Sequence, residues 1–410
     1  MPDLIESAAV PFAPLIGLAP LMRSAVRNED LTRLGAVLLA RAQSHPDDAN
    51  AFLDCSILMQ LMGNRDIAMA MQTRALHMQD LYALPAQRPG PGLRLLVIKG
   101  PGEIMWNTPI EFLVEDSDVS ADLLYLTMDG HWPESVPDHD VMFVAVSESE
   151  ANRPLLEQLA SFVAQWPRPV INLPERIAAL SRDGACALLQ DIEGVVMPAT
   201  LRVDRTAFQR LATGAVPGLP PLGPGMPLIV RPLDSHAGKN LDKISSREEV
   251  LAYLAKVGGD RFYLSRFVDY SGSDGLFRKY RIVLIEGRPF VCHMAVSEHW
   301  MIHYLNAGML ESEQKRAEEA ECMRNFDQEF ALRHAASLLE IYDRLGLPYV
   351  GIDCAELPTG ELLIFEVGNA MVVHALDDEH IFPYKKPAMR RVFSAFRQML
   401  ENARPAPPTA

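Results

Sequence analysis

Residues 351–374, GIDCAELPTGELLIFEVGNAMVVH, bring two carboxylates and an amide, Asp353, Glu366 and Asn369, into one short stretch. The run 352–357, the turn Pro358-Thr359-Gly360 and the apolar run 362–367 predict a β-hairpin. Glu366 is the one charge in LLIFEV, and an ionised group in so apolar a strand costs several kcal/mol unless something pairs with it. Converging from adjacent strands, Asp353, Glu366 and Asn369 make an oxygen-rich pocket suited to Mg²⁺, which takes one or two carboxylates plus phosphate oxygens. The competing reading is a hairpin with one acid on its solvated face.

A second candidate group surrounds IVRPLDSHAGKNLDKI at 229–244. Gly238-Lys239 looks like half of a P-loop, but that pattern needs Gly at 233 and Ser or Thr at 240, where the chain has Leu233 and Asn240. What remains is a small-residue loop whose backbone N–H groups can cradle phosphate, with Arg231, His236 and Lys239 as further donors. The competing reading is a β-turn with exposed charge. His299 and His303 are spaced as in metalloprotease helices, but Trp300 stands where the general base is needed. Gly100 and Gly102 after an apolar strand lack the third glycine of a dinucleotide fingerprint, because residue 105 is Met105. No GxSxG nucleophile motif is present.

The elements that must position these residues read as follows. Residues 1–20 suggest an irregular leader. Apolar residues at helical spacing predict helices over 30–44, 49–62 and 67–84, with Asp47 or Asp48 capping the second. Helix, short turn and helix at a repeat length of roughly 34 residues resemble one tetratricopeptide hairpin. A single such unit must lean on the rest of the protein or pair with another copy. After the linker 87–92, strands at 93–100, 121–128, 141–146 and 170–172, with a helix at 152–165, predict a small parallel α/β domain. Short strands at 200–203 and 228–231 flank a Pro/Gly-rich surface loop at 216–227. A helix at 247–256, strands at 262–268, 280–287 and 289–296, one long helix over 312–345, the hairpin and a last helix at 387–402 complete the chain.

The order of these parts resembles the ATP-grasp superfamily, within it the branch similar to glutathione synthetases and ribosomal-protein glutamate ligases. The resemblance rests on INLPERIAALSRDGACALL, IVRPLDSHAGKNLDKI, FYLSRFVDY, KYRIVLIEGRPFVCHMAV, YLNAG and VGIDCAELPTGELLIFEVGNAM, and covers about 170–400. It implies an α/β class, α+β in the C-terminal part. The expected units are a tetratricopeptide-like helical unit (1–88), an α/β domain (92–173) and an ATP-grasp domain (174–402). The last has a smaller lobe near 198–268 and a larger one near 269–402, which clasp ATP, and residues 403–410 are expected as a disordered tail.

The resemblance also implies roles. Arg231 takes the place of a phosphate-binding cation, and Ser235, His236, Gly238 and Lys239 match the mobile phosphate loop. Arg266, Phe267 and Val268 match the hinge that meets adenine, with Asp269 reaching the ribose. Arg281 matches an arginine that stabilises the γ-phosphate or an acyl phosphate, His293 falls at a basic position, and Asn306 lies near the metals. Asp353, Glu366 and Asn369 match the metal ligands of an expected pair of Mg²⁺ ions. The implied activity is an ATP-dependent carboxylate–amine ligase working through an acyl phosphate. A phosphoryl-transfer enzyme, and a nucleotide-sensing scaffold with a vestigial site, are the alternatives. Two departures stand out: Glu366 and Asn369 are separated by Val367-Gly368 rather than one residue, so either a bulge at Gly368 restores the amide or Gly368 takes the slot and one ligand is missing, and Arg182-Asp183 replaces an Asp-Lys order.

Composition bounds the partners. The net charge of −15, without a basic cluster, argues against nucleic acid. Five scattered cysteines with no CxxC pair argue for a reducing compartment and against a zinc site. No run of about 18 apolar residues suggests a membrane span, and the start lacks the positive region of a signal peptide. The expectation is a cytoplasmic protein acting on small-molecule or peptide carboxylates and amines. A protein partner on the N-terminal helices, and a homodimer, are the further partner expectations.

Overall fold

The computed structural model describes residues 12–90, 92–127, 133, 135–213, 222, 225–235 and 238–405. His236, most of the expected loop 216–227, the first eleven residues of the expected leader and the end of the expected tail lie outside the described residues. The chain is mixed α/β, with three sheets among the described residues.

It begins with helices α1 (Leu18–Val26), α2 (Leu31–Ser44), α3 (Ala49–Leu61) and α4 (Arg65–Met78). Asp30 and Asp48 cap α2 and α3 by accepting the N–H groups of Arg33 and Ala51. α1 starts inside the stretch expected as irregular, at Leu18, and runs beyond its expected end at residue 20. Buried Asp54 of α3 fixes its entry, accepting the N–H groups of Ile16 and Gly17 at 2.9–3.1 Å. The third expected helix stops at Met78. Residues beyond it form strand β1 (Leu81–Leu84), which pairs antiparallel with β3 of the following domain. Tyr82 drives this, because it is fully buried and packs edge-on against Tyr125 at 5.9 Å.

The first sheet adds β2 (Leu93–Lys99), the short α5 (Ile110–Leu113), β3 (Val119–Tyr125), β4 (Val141–Val144), α6 (Arg153–Val163) and β5 (Val170–Ile171), in order β1-β3-β2-β4-β5. All its pairings but β1–β3 are parallel. Gln72 clamps Gly102 through both amide ends, and Gln60 accepts the Ile104 N–H, so the helices dock on the loop after β2.

After α7 (Pro174–Ala178), α8 (Arg182–Leu189) and β6 (Val195–Val196), a smaller lobe forms from β7 (Thr200–Asp204), α9 (Arg205–Ala212), β8 (Leu228–Pro232), β9 (Asp242–Ile244), α10 (Arg247–Lys256) and β10 (Arg261–Arg266). Its antiparallel sheet runs β7-β10-β8-β9. Phe208, Val230, Val250, Phe262 and Leu264 fill its own core.

The larger lobe holds β11 (Phe277–Ile285), β12 (Arg288–Ser297), α11 (Glu313–Asn325), α12 (Phe330–Arg333), α13 (Ala335–Leu345), β13 (Tyr349–Glu356), β14 (Leu362–Gly368) and α14 (Lys385–Ala403). Its sheet runs β12-β11-β13-β14-β6. The single helix expected over 312–345 is three helices. Phe326 and Phe330 stack at 5.4 Å, and Phe330 packs on Tyr280 at 4.6 Å, which turns the chain into the core at the break.

One apolar core runs from the N-terminal helices through the first sheet to α14 and one face of the larger sheet. Phe396 of α14 is its keystone, with ring centroids 5.6 Å from Phe143 of β4 and 5.3 Å from Tyr349 of β13. Phe396→Ala is therefore expected to destabilise the protein by about 3–5 kcal/mol, the usual range for a fully buried Phe, and to do so in one cooperative transition. Urea unfolding followed by circular dichroism checks it; a loss below about 1 kcal/mol would show that first domain and larger lobe do not share this core.

Candidate functional site

Side-chain alternation along β11 builds the site. Ile282 and Leu284 face one core, while Val283 and Ile285 face the other. Arg281 and Lys279 continue the second face, where the apolar row gives way to charge. Arg281 lies opposite Asp353 of β13, and Asp353 lies opposite Glu366 of β14. Three adjacent strands thus carry a lateral row of arginine, aspartate and glutamate.

Asp353 is 2% exposed. Arg281 donates to both its oxygens, Nε to Oδ1 at 2.8 Å and the terminal guanidinium nitrogen to Oδ2 at 3.0 Å. Lys279 Nζ reaches Oδ2 at 2.6 Å. Burial raises the Asp353 carboxyl, but Arg281 and Lys279 outweigh it and hold the group far below the usual carboxylate range. Glu366 pairs with Arg182, at the start of α8, at 2.8 Å and keeps 39% of its side chain open. Burial works to raise it, and Arg182 and Arg231 together lower it to about 2.

The smaller lobe contributes Arg231, which faces away from that lobe's core beside Tyr263 and Arg202 of neighbouring strands. It is 8% exposed and donates to Ser235 Oγ at 3.0 Å and to the Ser235 carbonyl. Burial, then Arg182, pushes its guanidinium below its ordinary value. Arg231 therefore anchors the start of the loop expected to hold phosphate, and it acts on Glu366 together with Arg182. Gly238 adopts φ 72°, and a side chain there would meet Met301 Sδ of the larger lobe at 3.7 Å. Lys239 is exposed.

The hinge lies between β10 and β11. Arg266 Nε donates to the Leu222 carbonyl at 2.7 Å. Phe267 packs against Trp300 at 5.7 Å, and Lys243 sits 4.3 Å above its ring. Val268 is half-buried, and Asp269 is exposed and accepts the Ser271 N–H at 3.0 Å. Phe267 and Trp300 thus meet edge to face, with the Lys243 ammonium over the Phe267 ring.

Three expected site residues stand differently from their implied roles. His293 lies opposite Arg281, but burial, then Arg281 and Lys385, pushes its imidazole well below its ordinary value, so it is a neutral ring on Tyr304 at 4.7 Å. Asn306 is exposed, and its Oδ1 accepts the His303 N–H in its own turn. Asn369 is buried and turned to the first domain, donating to the Val146 carbonyl at 2.9 Å. No bulge at Gly368 brings it back: Gly368 faces Gly351 in register, and the irregularity falls at Phe365.

The expected pair of Mg²⁺ ions does not fit this donor set. Both Asp353 oxygens are taken by side-chain cations, Gly368 offers no ligand on the Glu366 face, and Asn369 is committed elsewhere. Among the described residues no group of three or more His, Cys, Asp or Glu is arranged to hold a metal, and the one or two carboxylates that Mg²⁺ takes beside phosphate are here paired with Arg281, Lys279 and Arg182.

Sequence reading missed Lys279, Lys243 and the part played by Arg182. The KxR spacing at 279–281 was the available signal, since residues two apart on a strand share a face. It also missed a buried network beside His293. Lys385 Nζ donates to Tyr304 Oη at 2.5 Å and pairs with Asp377 at 3.0 Å. Tyr304 and Tyr384 both donate to Glu319 at 2.7–2.8 Å.

No protein-family model matches the chain, and no curated protein matches it. Many solved structures are similar to it, two of which serve as examples. One is the VanG D-Ala:D-Ser ligase from Enterococcus faecalis, 12% identical, covering 75% of this chain and 99% of that one, with a TM-score of 0.47. The other is a RimK domain protein ATP-grasp from Sphaerobacter thermophilus, 13% identical, with the same coverages and a TM-score of 0.42. No helix among the described residues is long and apolar enough to cross a membrane.

The depressed Glu366 carboxyl has a pH consequence. A carboxyl lowered from 4.5 to about 2 in the folded state contributes stability above pH 4.5 that is lost as pH falls toward 2. Glu366→Gln is expected to flatten the acid limb of stability against pH over that window. Urea midpoints at several pH values test it; parallel acid limbs for the two proteins would show that the Arg182 and Arg231 pairing is not energetically coupled to folding.

Proposed function

We propose that the chain binds ATP between its smaller and larger lobes and joins a carboxylate to an amine with release of ADP and phosphate. The observation that carries this reading is that Arg231 of the smaller lobe, hydrogen-bonded to Ser235, acts together with Arg182 on Glu366, the end of the lateral row that Arg281 and Asp353 form on the larger sheet with Lys279 beside them. Charged side chains from two separate sheets influence one another there.

In this reading residues 1–88, 92–173 and 174–402 act as accessory helices, α/β domain and ATP-grasp domain. Arg231, the backbone of Ser235 and Gly238, and Lys239 hold the phosphates, and Phe267, Val268 and Lys243 flank the adenine. A carboxylate oxygen attacks the γ-phosphorus and the bond to the β-phosphate oxygen breaks, releasing ADP. The amine then attacks the acyl carbon, a C–N bond forms, the C–O bond to phosphate breaks, and the amine loses a proton. Arg281 and Arg182 stabilise the charge that builds on the transferring group. Closure of the phosphate loop over the site keeps water from the acyl phosphate.

A second reading, a nucleotide sensor, is favoured by one observation: the third ligand position on the Glu366 face is Gly368. Amine-dependent turnover separates the two.

An ADP-release screen with amino acids and peptides in pairs tests the ligase reading directly. ADP release that needs both a carboxylate and an amine is the expected result; release without amine points to phosphoryl transfer, and ATP binding without any turnover points to the sensor. Arg231→Ala is expected to weaken ATP binding roughly 10- to 100-fold, since a charge-assisted hydrogen bond is worth about 1.5–3 kcal/mol, and Arg231→Lys should recover part of the loss. Calorimetry showing unchanged ATP affinity in Arg231→Ala would place the site elsewhere.

A further inference from the structure

We propose that fixed side-chain cations, Lys279 foremost, take the charge-neutralising place of divalent metal in this site, so that the chain binds polyphosphate without metal. The proposal rests on the nucleotide reading above and deepens it.

Four observations carry it. Lys279 Nζ lies 2.6 Å from Asp353 Oδ2 and also donates to the Ile302 carbonyl at 3.3 Å, so the ammonium is held in place rather than swinging free. Arg281 occupies the same carboxylate in the bidentate geometry that guanidinium favours. Arg182 takes Glu366 Oε2, with the buried Arg231 close enough to act on the same charge. The face that would offer a third oxygen carries Gly368 opposite Gly351, where Met371 closes in so tightly that a Cβ on Gly351 would lie 2.8 Å from its sulfur.

The charge balance follows. Four cationic side chains, Arg182, Arg231, Lys279 and Arg281, surround two carboxylates, Asp353 and Glu366. The cluster keeps an excess of positive charge after its internal pairs are counted. A divalent cation approaching it meets ammonium and guanidinium groups already seated on the carboxylates. A polyphosphate meets donors in excess, and it can bridge to them without displacing an acid. An ammonium on a strand cannot be exchanged with solvent as an ion is, so the neutralising charge is permanent.

The test is calorimetric binding of ATP and of inorganic tripolyphosphate to the full chain, in EDTA and in excess Mg²⁺, with Lys279→Ala and Lys279→Arg beside the wild type. For wild type, both ligands are expected to bind in EDTA, with affinities that Mg²⁺ raises by less than about threefold. Lys279→Ala is expected to lose roughly 10- to 100-fold in EDTA, as for loss of one charge-assisted contact. Mg²⁺ should then restore a large part of that loss, because Asp353 Oδ2 is freed. Lys279→Arg should keep metal-independent binding, and circular dichroism checks that both variants are folded.

Wild-type ATP binding that Mg²⁺ strengthens tenfold or more would overturn the inference and leave the nucleotide reading standing. So would Lys279→Ala binding like wild type in EDTA. Tripolyphosphate binding in EDTA without any ATP binding would uphold the inference and remove the nucleotide reading. Binding of neither ligand under either condition would overturn both.

Discussion

The buried carboxylate of Asp353 is the constraint around which the larger lobe is arranged. A charge withdrawn from water into a sheet interior carries a desolvation cost of several kcal/mol, and only well-placed opposite charges offset it. Arg281 sits directly across β11 to supply two donors, and Lys279 supplies a third from the same face two residues away. That demand fixes β11 beside β13 in this register, since a slip by one residue would point Arg281 into the apolar core and leave Asp353 unpaired. Replacing such a cluster by apolar side chains would commonly stabilise a fold, so its presence argues for a task beyond stability.

The remainder of the molecule keeps this row at the end of an apolar sheet face. Val283, Ile285 and Tyr349 pack under α14 and against the first sheet, and the same face turns charged where that cover ends. The smaller lobe has its own core and meets the cluster through polar groups. Arg202 bridges Glu150 and Asp183, Arg261 reaches Glu150 at 3.1 Å, and the Glu150 N–H donates to Asp234. Apolar packing binds the N-terminal helices, first domain and larger lobe into one body, while ion pairs and hydrogen bonds hold the smaller lobe. Polar seams of this kind open and close at lower cost than a shared core, as the proposed entry and release of a nucleotide would require.

Much of the architecture was legible in residue patterns. Alternating apolar strands, the turn at 358–360 and the helix at 49–62 with its Asp48 cap have local causes and were found where local physics puts them. The failures were equally physical. Residues 81–84 read as the end of a helix, and only the presence of β3 beside them makes a strand the better solution. The helix over 312–345 breaks because Phe326 and Phe330 find aromatic partners on distant segments.

At the site, the sequence by itself determined which groups bear charge. Glu366 was identifiable because an ionised residue in an apolar strand demands a partner, Asp353 by its place in the same hairpin, Arg231 by the loop that follows it, and Arg281 through the family resemblance. It also determined that a small-residue loop follows Arg231. Tertiary structure alone decided who those partners are. Lys279 and Arg182 are remote in sequence from the carboxylates they bind; the spacing of Lys279 and Arg281 marks a shared face but not the acid they meet. Asn369, adjacent to the ligand position by spacing, is carried to the first domain, because a period of two sends its neighbour Gly368 to the Glu366 face and a Val146 carbonyl waits for the amide. Charge is a property of a residue, but its compensation is a property of the space around it, and that space is assembled only when distant strands are brought into register.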